Sequence, residues 1–348
     1  MNKKLKLIPL ALLGVSALAG CGNGDETIYI YTAHEQNRID LFQSELNKKF
    51  PDYKIEVVSI GTDALFGELD ANGANSQCDI FVGIEITNAE GLLLKNPDIF
   101  ADLSDYDTSC YLDEVLAYQN DYTLADGTVR KGHKKYHIQD REAGCILYSK
   151  SKLQSLGLSV PTSYNDLLDA KYKGMITMPK TSKGTGYYFY NGYVSEHGKD
   201  AAIDYFKQLK TSGNIYSFTG SEEASNLVGG TVAVALGMHF YSQTLVNKND
   251  DLGITYFAEG SPNTYYTMGM LNGREKNEKI KEVYDYFYSY VNYLDNAKMV
   301  PEKIYKNNTN KVEIANWEYP NKYTDMHGLL DYNYKKDLLD TWGREIPA

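Results

Sequence analysis

The chain runs to 348 residues, 43% of them hydrophobic, enough for two lobes of ordinary size with real cores. Its 46 acidic side chains outnumber 35 basic ones, and the net charge of −11 excludes broad binding to nucleic acid or an anionic lipid surface. Any anionic ligand would need a local pocket of donors; the 31 tyrosines, which pack and hydrogen-bond with one side chain, suit such a pocket as well as they suit a compositional habit.

Met1 to Lys6 is short and basic, Leu7 to Ala19 is apolar, and Leu18-Ala19-Gly20-Cys21 closes with small residues and a cysteine. Thirteen apolar residues are too few to span a bilayer. The layout resembles a secretory signal, and the closing cysteine resembles that of a bacterial lipoprotein. The resemblance implies a leader over 1–20, lipid attached at Cys21, a tether over 21–26 and an extracytoplasmic place on the cell membrane. Losing Lys3, Lys4 and Lys6 takes the net charge from −11 to −14. Cys78, Cys110 and Cys145 remain; three cannot all pair, and no C-x-x-C signals a zinc or redox site. Cys78 and Cys145 sit in apolar stretches and read as small core residues.

From Thr27 the pattern is that of a folded domain. Thr27 to Tyr31 alternates and predicts a strand. Ile39, Phe42, Leu46 and Phe50 recur every three or four residues and predict a helix over 35–50, ended by Pro51-Asp52. Lys54 to Ile60 is a second strand, Gly61-Thr62-Asp63 a tight turn, and 64–69 a short helix. A third strand over 79–84 and a helix over 87–94 follow. Pro161 opens a second unit, in which Thr162 or Ser163 can cap a helix with Asp166 in its first turn. Residues 175–178 form a strand, 181–186 a loop, and 187–197 and 201–209 helices. Then come an extended run over 214–218, a helix from about Glu222 and an apolar strand over 231–236. Residues 254–271 are extended, Ile280 to Leu294 carry a long amphipathic stripe, and a last helix lies around 334–342. Strands alternating with helices predict an α/β fold with parallel sheets.

Pro161 to Gly174 resembles a segment common in solute-binding proteins of bacterial ABC importers, in the group that takes up ferric ion, phosphonates, organophosphates and related solutes. Ser182-Lys183-Gly184-Thr185-Gly186 resembles the anion-contacting loop of that group. Ile30-Tyr31-Thr32, Ile60-Gly61-Thr62, Val228 to Gly237 and the tail Leu329 to Ile346 fit in order, so the resemblance covers almost the whole chain after the leader. It implies a two-lobed periplasmic-binding-protein-like fold of type 2, with hinge crossovers near 144–148 and 254–268 and a ligand cleft between the lobes. Lobe 1 would hold 27–145 and 254–348 with the C-terminal helices, and lobe 2 would hold 146–253. The resemblance further implies a monomeric receptor without cofactor. It would close on a small anionic solute and deliver it to the permease and ATPase subunits of its importer.

The residues point to the same places. In open α/β sheets, ligands sit beyond the carboxyl ends of strands, where helix N-termini present unpaired N–H groups. Four turns stand there: Thr32-Ala33-His34, Gly61-Thr62-Asp63, Ser182 to Gly186, and Thr219-Gly220-Ser221. Glycine admits close approach and hydroxyls add donors. The candidate ligand-binding residues are thus Thr32, Ala33, His34, Gly61, Thr62, Ser182, Gly184, Thr185, Gly186 and Ser221. The same turns also serve as routine helix caps. Arg141 can fork onto a phosphate or carboxylate, or pair with a flanking acid. His239 and Tyr241 can donate to an oxyanion, and an amine on the ligand would want Asp63, Glu85 or Glu222.

Ferric-binding members of the group imply another set. His34 follows the first strand, where they carry a histidine ligand, and Glu85 lies about one residue from their acidic ligand. His34, Glu85 and Tyr241 are therefore the alternative metal set. Those members also need a tyrosine pair, and Phe240 stands at its first position, where a phenyl ring cannot bind a hard ferric ion. A phosphonate or organic phosphate is the expected solute and ferric ion the alternative; thiamine or a polyamine ranks lower. A secreted hydrolase is the competing class. No G-x-S-x-G or H-E-x-x-H motif occurs, though six histidines and many acids could still meet in space.

Overall fold

A computed structural model describes residues 27–182, 184–219, 223–306 and 312–346. The leader, Cys21 and its tether, and Ser221 and Glu222 lie outside that range.

The first lobe builds as βαβ units. Strand β1 (Ile28–Thr32) leads into helix α1 (Gln36–Lys49), β2 (Ile55–Ser59) into α2 (Thr62–Asn72), and β3 (Ile80–Glu85) into α3 (Ile86–Lys95). β1 pairs in parallel with both β2 and β3. β3 is buried along its whole length, as a near-continuous apolar run in a covered parallel sheet should be. The stripe expected of α1 buries Ile39, Phe42 and Leu46; Phe42 and Leu46 share a core with Ile30, Ile80 and Val82. A short helix α4 (Asp113–Leu116) and a small hairpin of β4 (Tyr122–Thr123) and β5 (Val129–Arg130) precede the long strand β6 (His137–Ser149).

Beyond β6 the second lobe begins with α5 (Lys150–Leu156). The α-helix expected after Pro161 does not form; the segment makes two 3-10 turns, Asp166–Leu168 and Ala170–Tyr172. Ser163 does cap it, its Oγ accepting from Asp166 N at 3.0 Å, but Asn214 Nδ2 donates to the carbonyls of Leu167 (2.8 Å) and Asp169 (2.9 Å). Those carbonyls are drawn away from an i to i+4 ladder. Then come β7 (Ile176–Pro179), α6 (Gly184–His197), α7 (Lys199–Thr211), β8 (Ile215–Thr219), α8 (Glu223–Val228), β9 (Val234–Met238) and α9 (His239–Val246). β7 is parallel to both β8 and β9.

The chain returns through β10 (Leu252–Thr255) and β11 (Asn263–Met270). β6 is the seam between the lobes. Residues 137–143 pair with β11, 144–148 with β9, and 146–149 with β10, all antiparallel. β10 and β11 therefore run back beside β6, and the expected crossovers are these two adjacent ribbons. The strand order is β2-β1-β3-β11-β6-β9-β7-β8, with β10 also on β6.

The long stripe from Ile280 forms α10 (Glu278–Tyr286) and α11 (Asn292–Lys298), joined by a π turn at Phe287–Val291. Beyond that turn Asn292, Asp295 and Asn296 are all buried, and both asparagines donate to the Gln139 carbonyl of β6, at 3.1 and 2.9 Å. The last helix, α12 (Tyr332–Glu345), lies across both lobes rather than on lobe 1 alone. Tyr332 stacks on Phe66 of α2, whereas Trp342 packs on Tyr190, Phe206 and Phe218 of lobe 2. An indole needs an aromatic seat, and the lobe 2 face under α12 supplies one.

Candidate functional site

The parallel strands of both lobes end at the gap between them, and the following helices start there. A cavity of about 570 Å³ lies at the gap. Lobe 1 lines it with Glu35, Asn37 and Arg38 from the start of α1 and with Lys298 and Met299 from the end of α11. Lobe 2 contributes Thr185 from the first turn of α6, Gly237 and Met238 from the end of β9, and Phe240 and Tyr241 from the first turn of α9. The first turns of α1, α6 and α9 thus border one space, and first-turn N–H groups have no partner within their own helix.

The first predicted turn is built as a rigid wall. Thr32 is buried and its Oγ1 accepts from His34 N at 3.2 Å. The His34 ring, 6% exposed, donates from Nε2 to Gln139 Oε1 at 2.9 Å. Gly83 leaves room for it: a Cβ there would come within 2.6 Å of His34 Nε2, and φ is +85°. Burial, with the Arg38 charge close by, holds the imidazole well below the usual histidine range, so it is neutral at pH 7. Ala33 lies beside it, partly exposed. Gly61 and Thr62 are exposed at the start of α2, and Ile60 N donates to Thr32 O at 2.9 Å, which sets the two turns side by side.

Of the third turn, Thr185 faces the cavity, while Ser182 and Gly184 are exposed near it. Gly186 has a different role. A Cβ there would come within 2.3 Å of Lys180 O and 2.4 Å of Pro179 O, so it lets α6 seat against the end of β7 rather than admitting a ligand. Ser221 lies outside the described residues.

Two expected cleft residues point elsewhere. Arg141 lies on the opposite face of β6 from Asp140 and Glu142, because successive strand side chains alternate. Its Nη2 donates to Glu114 Oε1 at 2.7 Å, its Nε to Tyr265 Oη at 3.0 Å, and its guanidinium stacks 4.1 Å from the Tyr323 ring centre. It lines a separate cavity of about 480 Å³ behind the hinge. His239 is turned inward by the pitch of α9. Its Nδ1 lies 2.6 Å from Glu302 Oε1, its Nε2 lies 2.9 Å from Tyr256 Oη, and its ring stacks on Trp317. Tyr241, 52% exposed, does line the cavity.

The alternative metal set is not assembled as a ready site. Glu85 caps α3 and accepts from Asn88 N, Thr87 Oγ1, Thr264 Oγ1 and Lys335 Nζ, which uses the four lone-pair positions of a carboxylate. Among the described residues no group of three or more His, Cys, Asp or Glu could hold a metal ion.

The groups that sequence reasoning missed lie under the gap. Arg38 is buried, and its guanidinium donates to Asp295, with Nε–Oδ1 at 3.0 Å, and to Asp140. Burial alone would lower its pKa; the carboxylates of Asp295 and Asp140 hold it well above its ordinary value. Burial, against the pull of Arg38, pushes the Asp140 carboxyl up to about 6 and raises that of Asp295. Glu142 stands on the same face, its carboxyl raised well above the usual range by burial and by Asp140. The signal was present: in Asp140-Arg141-Glu142, strand alternation separates the acids from the arginine.

Comparison with known proteins agrees with this architecture. A family model described as bacterial extracellular solute-binding protein matches residues 93–326. An uncharacterised protein of Haemophilus influenzae is 22% identical over 369 aligned positions, covering 99% of this chain and 98% of its own length. The periplasmic binding protein AfuA from Actinobacillus pleuropneumoniae, with exogenous fructose-6-phosphate bound, superposes with a TM-score of 0.70 at 19% identity, over 92% of this chain and 98% of that one. Apo ferric ion-binding protein A of Pasteurella haemolytica gives a TM-score of 0.72 at 12% identity, over 92% of this chain and 99% of its own. These structural likenesses show a shared fold. Among the described residues no helix is long and apolar enough to cross a membrane. The family match spans more than half of the chain, and on that ground the protein belongs to the bacterial extracellular solute-binding proteins, the solute-capturing components of ABC importers.

Proposed function

We propose that the protein captures a small solute bearing an anionic group, a phosphate ester or phosphonate, and that a lipid on Cys21 keeps it at the membrane beside its permease. The observation that carries this reading is the lobe 2 wall of the gap. Thr185 at the start of α6 and Phe240 and Tyr241 at the start of α9 stand there, and among the described residues no carboxylate from lobe 2 lines the wall and its charged side chain is Lys248. Helix N-termini favour an anion. The volume of about 570 Å³ suits a small metabolite. The likeness to a binding protein that holds fructose-6-phosphate supports the same class. Closure of the lobes about β6 and the β10–β11 ribbon would then bring the α1 side onto the bound solute.

Ferric ion is the weaker reading, because Phe240 offers no phenolate and the Glu85 carboxylate is already engaged. Calorimetric titration with sugar phosphates and alkylphosphonates, each beside its dephosphorylated counterpart, tests the proposal. Binding confined to the phosphorylated members is expected; equal binding of both members would overturn it.

A further inference from the structure

Arg141 is a buried guanidinium that its neighbours satisfy only in part. It is 1% exposed. Its Nε and Nη2 donate to Tyr265 Oη, and Nη2 also donates to Glu114 Oε1 at 2.7 Å. Its Nη1 is buried without a partner among the described residues. Arg141 lines the cavity of about 480 Å³ behind the hinge, a volume within the range of small-molecule sites. The ion pair that engages it from α4 is a single contact, and the Glu114 side chain is 61% exposed. A pair with so exposed a partner contributes little, so Glu114 is an exchangeable occupant of the guanidinium edge.

The rest of the wall fits an organic acid. Tyr118, Tyr265 and Tyr323 line it, with the Tyr118 and Tyr265 ring centres 4.6 Å apart and the guanidinium 4.1 Å from that of Tyr323. Lys303 adds a second, exposed cation, whose Nζ lies 4.4 Å from the Tyr319 ring centre. Lys322 also lines the cavity but leans to the Glu259 carbonyl at 3.1 Å and to Glu196 at 3.7 Å. A buried donor without an acceptor costs free energy that a partner would recover. A carboxylate accepting from Nη1 and Nη2 side by side replaces one contact with two, in the geometry a guanidinium fork favours. A water would satisfy Nη1 but brings no charge. A dianionic phosphate would meet both Glu114 and Asp325 on the wall, so a single negative charge is the better match.

We propose that the cavity behind the hinge is a second ligand site, which takes a small organic carboxylate with a flat apolar body onto Arg141. The acid takes the edge of the guanidinium that Glu114 touches, and Glu114 turns out to solvent. The cavity between the lobes and the one behind the hinge share no lining residue, so the rear site goes beyond the solute-capturing gap and stands apart from it. The anion fork expected of Arg141 is thereby kept, at the rear of the hinge instead of in the cleft.

The test is titration calorimetry of the purified full-length protein with benzoate, with benzamide as its uncharged counterpart and inorganic phosphate as a competitor. Benzoate is expected to bind about tenfold or more tighter than benzamide, and phosphate to compete about tenfold or more weakly than benzoate binds. Arg141→Leu should abolish benzoate binding. Because that change also strips a buried network, two exposed positions carry the test where it does not fold. Glu114→Gln removes the competing carboxylate and should tighten benzoate about threefold or more; Lys303→Met removes the second cation and should weaken it by as much. A thermal melt confirms folding of each variant. Thr185→Val, in the gap between the lobes, should leave benzoate binding unchanged. The inference is overturned by equal affinity for benzoate and benzamide, by no binding of benzoate at millimolar concentration, or by benzoate binding retained in a folded Arg141→Leu protein. Unchanged affinity in either Glu114→Gln or Lys303→Met also overturns it. Loss of benzoate binding in Thr185→Val would place the acid in the gap and remove the rear site, leaving the solute reading of the gap untouched. Phosphate competing as well as benzoate binds would overturn the choice of a carboxylate.

Discussion

Arg141 and Glu142 are consecutive residues of β6 and face opposite ways. The arginine closes the rear of the hinge against Glu114 and Tyr265, and the glutamate faces Arg38 beneath the ligand gap. One strand thereby separates a cation behind the hinge from a carboxylate paired with Arg38. Arg141→Leu should destabilise the protein by about 2–4 kcal/mol, since it strips partners from a buried network. Affinity for the bound solute should change less than threefold. Urea unfolding and calorimetry check the two halves, and a tenfold loss of affinity in a folded variant would return Arg141 to the cleft.

Thr185 and Gly186 are also neighbours with different duties. Thr185→Val removes a hydroxyl from the cavity wall and should weaken phosphate-ester binding about tenfold, or about 1.4 kcal/mol. Gly186→Ala places a methyl 2.3 Å from Lys180 O, a backbone atom that cannot step aside. It should cost about 2–3 kcal/mol of stability. Thermal melts beside calorimetry separate the two effects; a stable Gly186→Ala protein with selective loss of binding would reverse the assignment.

The pH dependence of stability follows from the buried groups at the seam. The carboxyls of Asp140, Glu142 and Asp295 are raised in the fold, so the folded state keeps protons that the unfolded chain releases near pH 4. Their contribution is complete below that value and is lost as pH rises through the folded one, about 6 for Asp140. His34 and His137 have the opposite sign. Burial depresses both, His137 down to about 3, so their contribution is present above the unfolded histidine value and is lost as pH falls. The two sets oppose each other between about pH 4 and 6.5, which predicts a shallow profile there. Glu142→Gln removes one raised acid and should exceed wild type by about 1–3 kcal/mol at pH 8, with little difference at pH 4. Urea unfolding at both values checks this, and an equal gain at both would remove the linkage.

The βαβ frame was readable because its signals are local. Ile39, Phe42 and Leu46 report one helix face whatever lies around them, and a strand such as Ile80 to Ile84 is apolar throughout. β6 was not readable as one long strand, since Asp140-Arg141-Glu142 looks like a solvated segment until β11 pairs with it and Arg38 and Asp295 meet Asp140. The same holds for the π turn at Phe287–Val291, whose consequence appears only when Asp295 meets Arg38 from a distant helix. His239 and Arg141 have the chemistry of cleft residues, but their direction depends on helix pitch and strand alternation that residue type alone does not reveal. Trp342 gave no hint of which lobe would receive it, because its seat is assembled from Tyr190, Phe206 and Phe218.

On the proposed reading, membrane attachment rests on chemistry at one sulfur. The apolar run Leu7 to Ala19 is too short to span a bilayer, so on that reading acyl chains hold the protein at the membrane. One chain gives marginal, reversible binding, and two or three give a lasting anchor. Cys21→Ser should move the protein into the soluble fraction and abolish incorporation of labelled palmitate, while binding of phosphate esters is unchanged because Cys21 precedes the folded lobes. Fractionation after a carbonate wash, with metabolic labelling in parallel, checks both outcomes. A serine variant that stays with the membrane without taking up label would mean that the leader, or a contact of the folded lobes with the permease, holds the protein there.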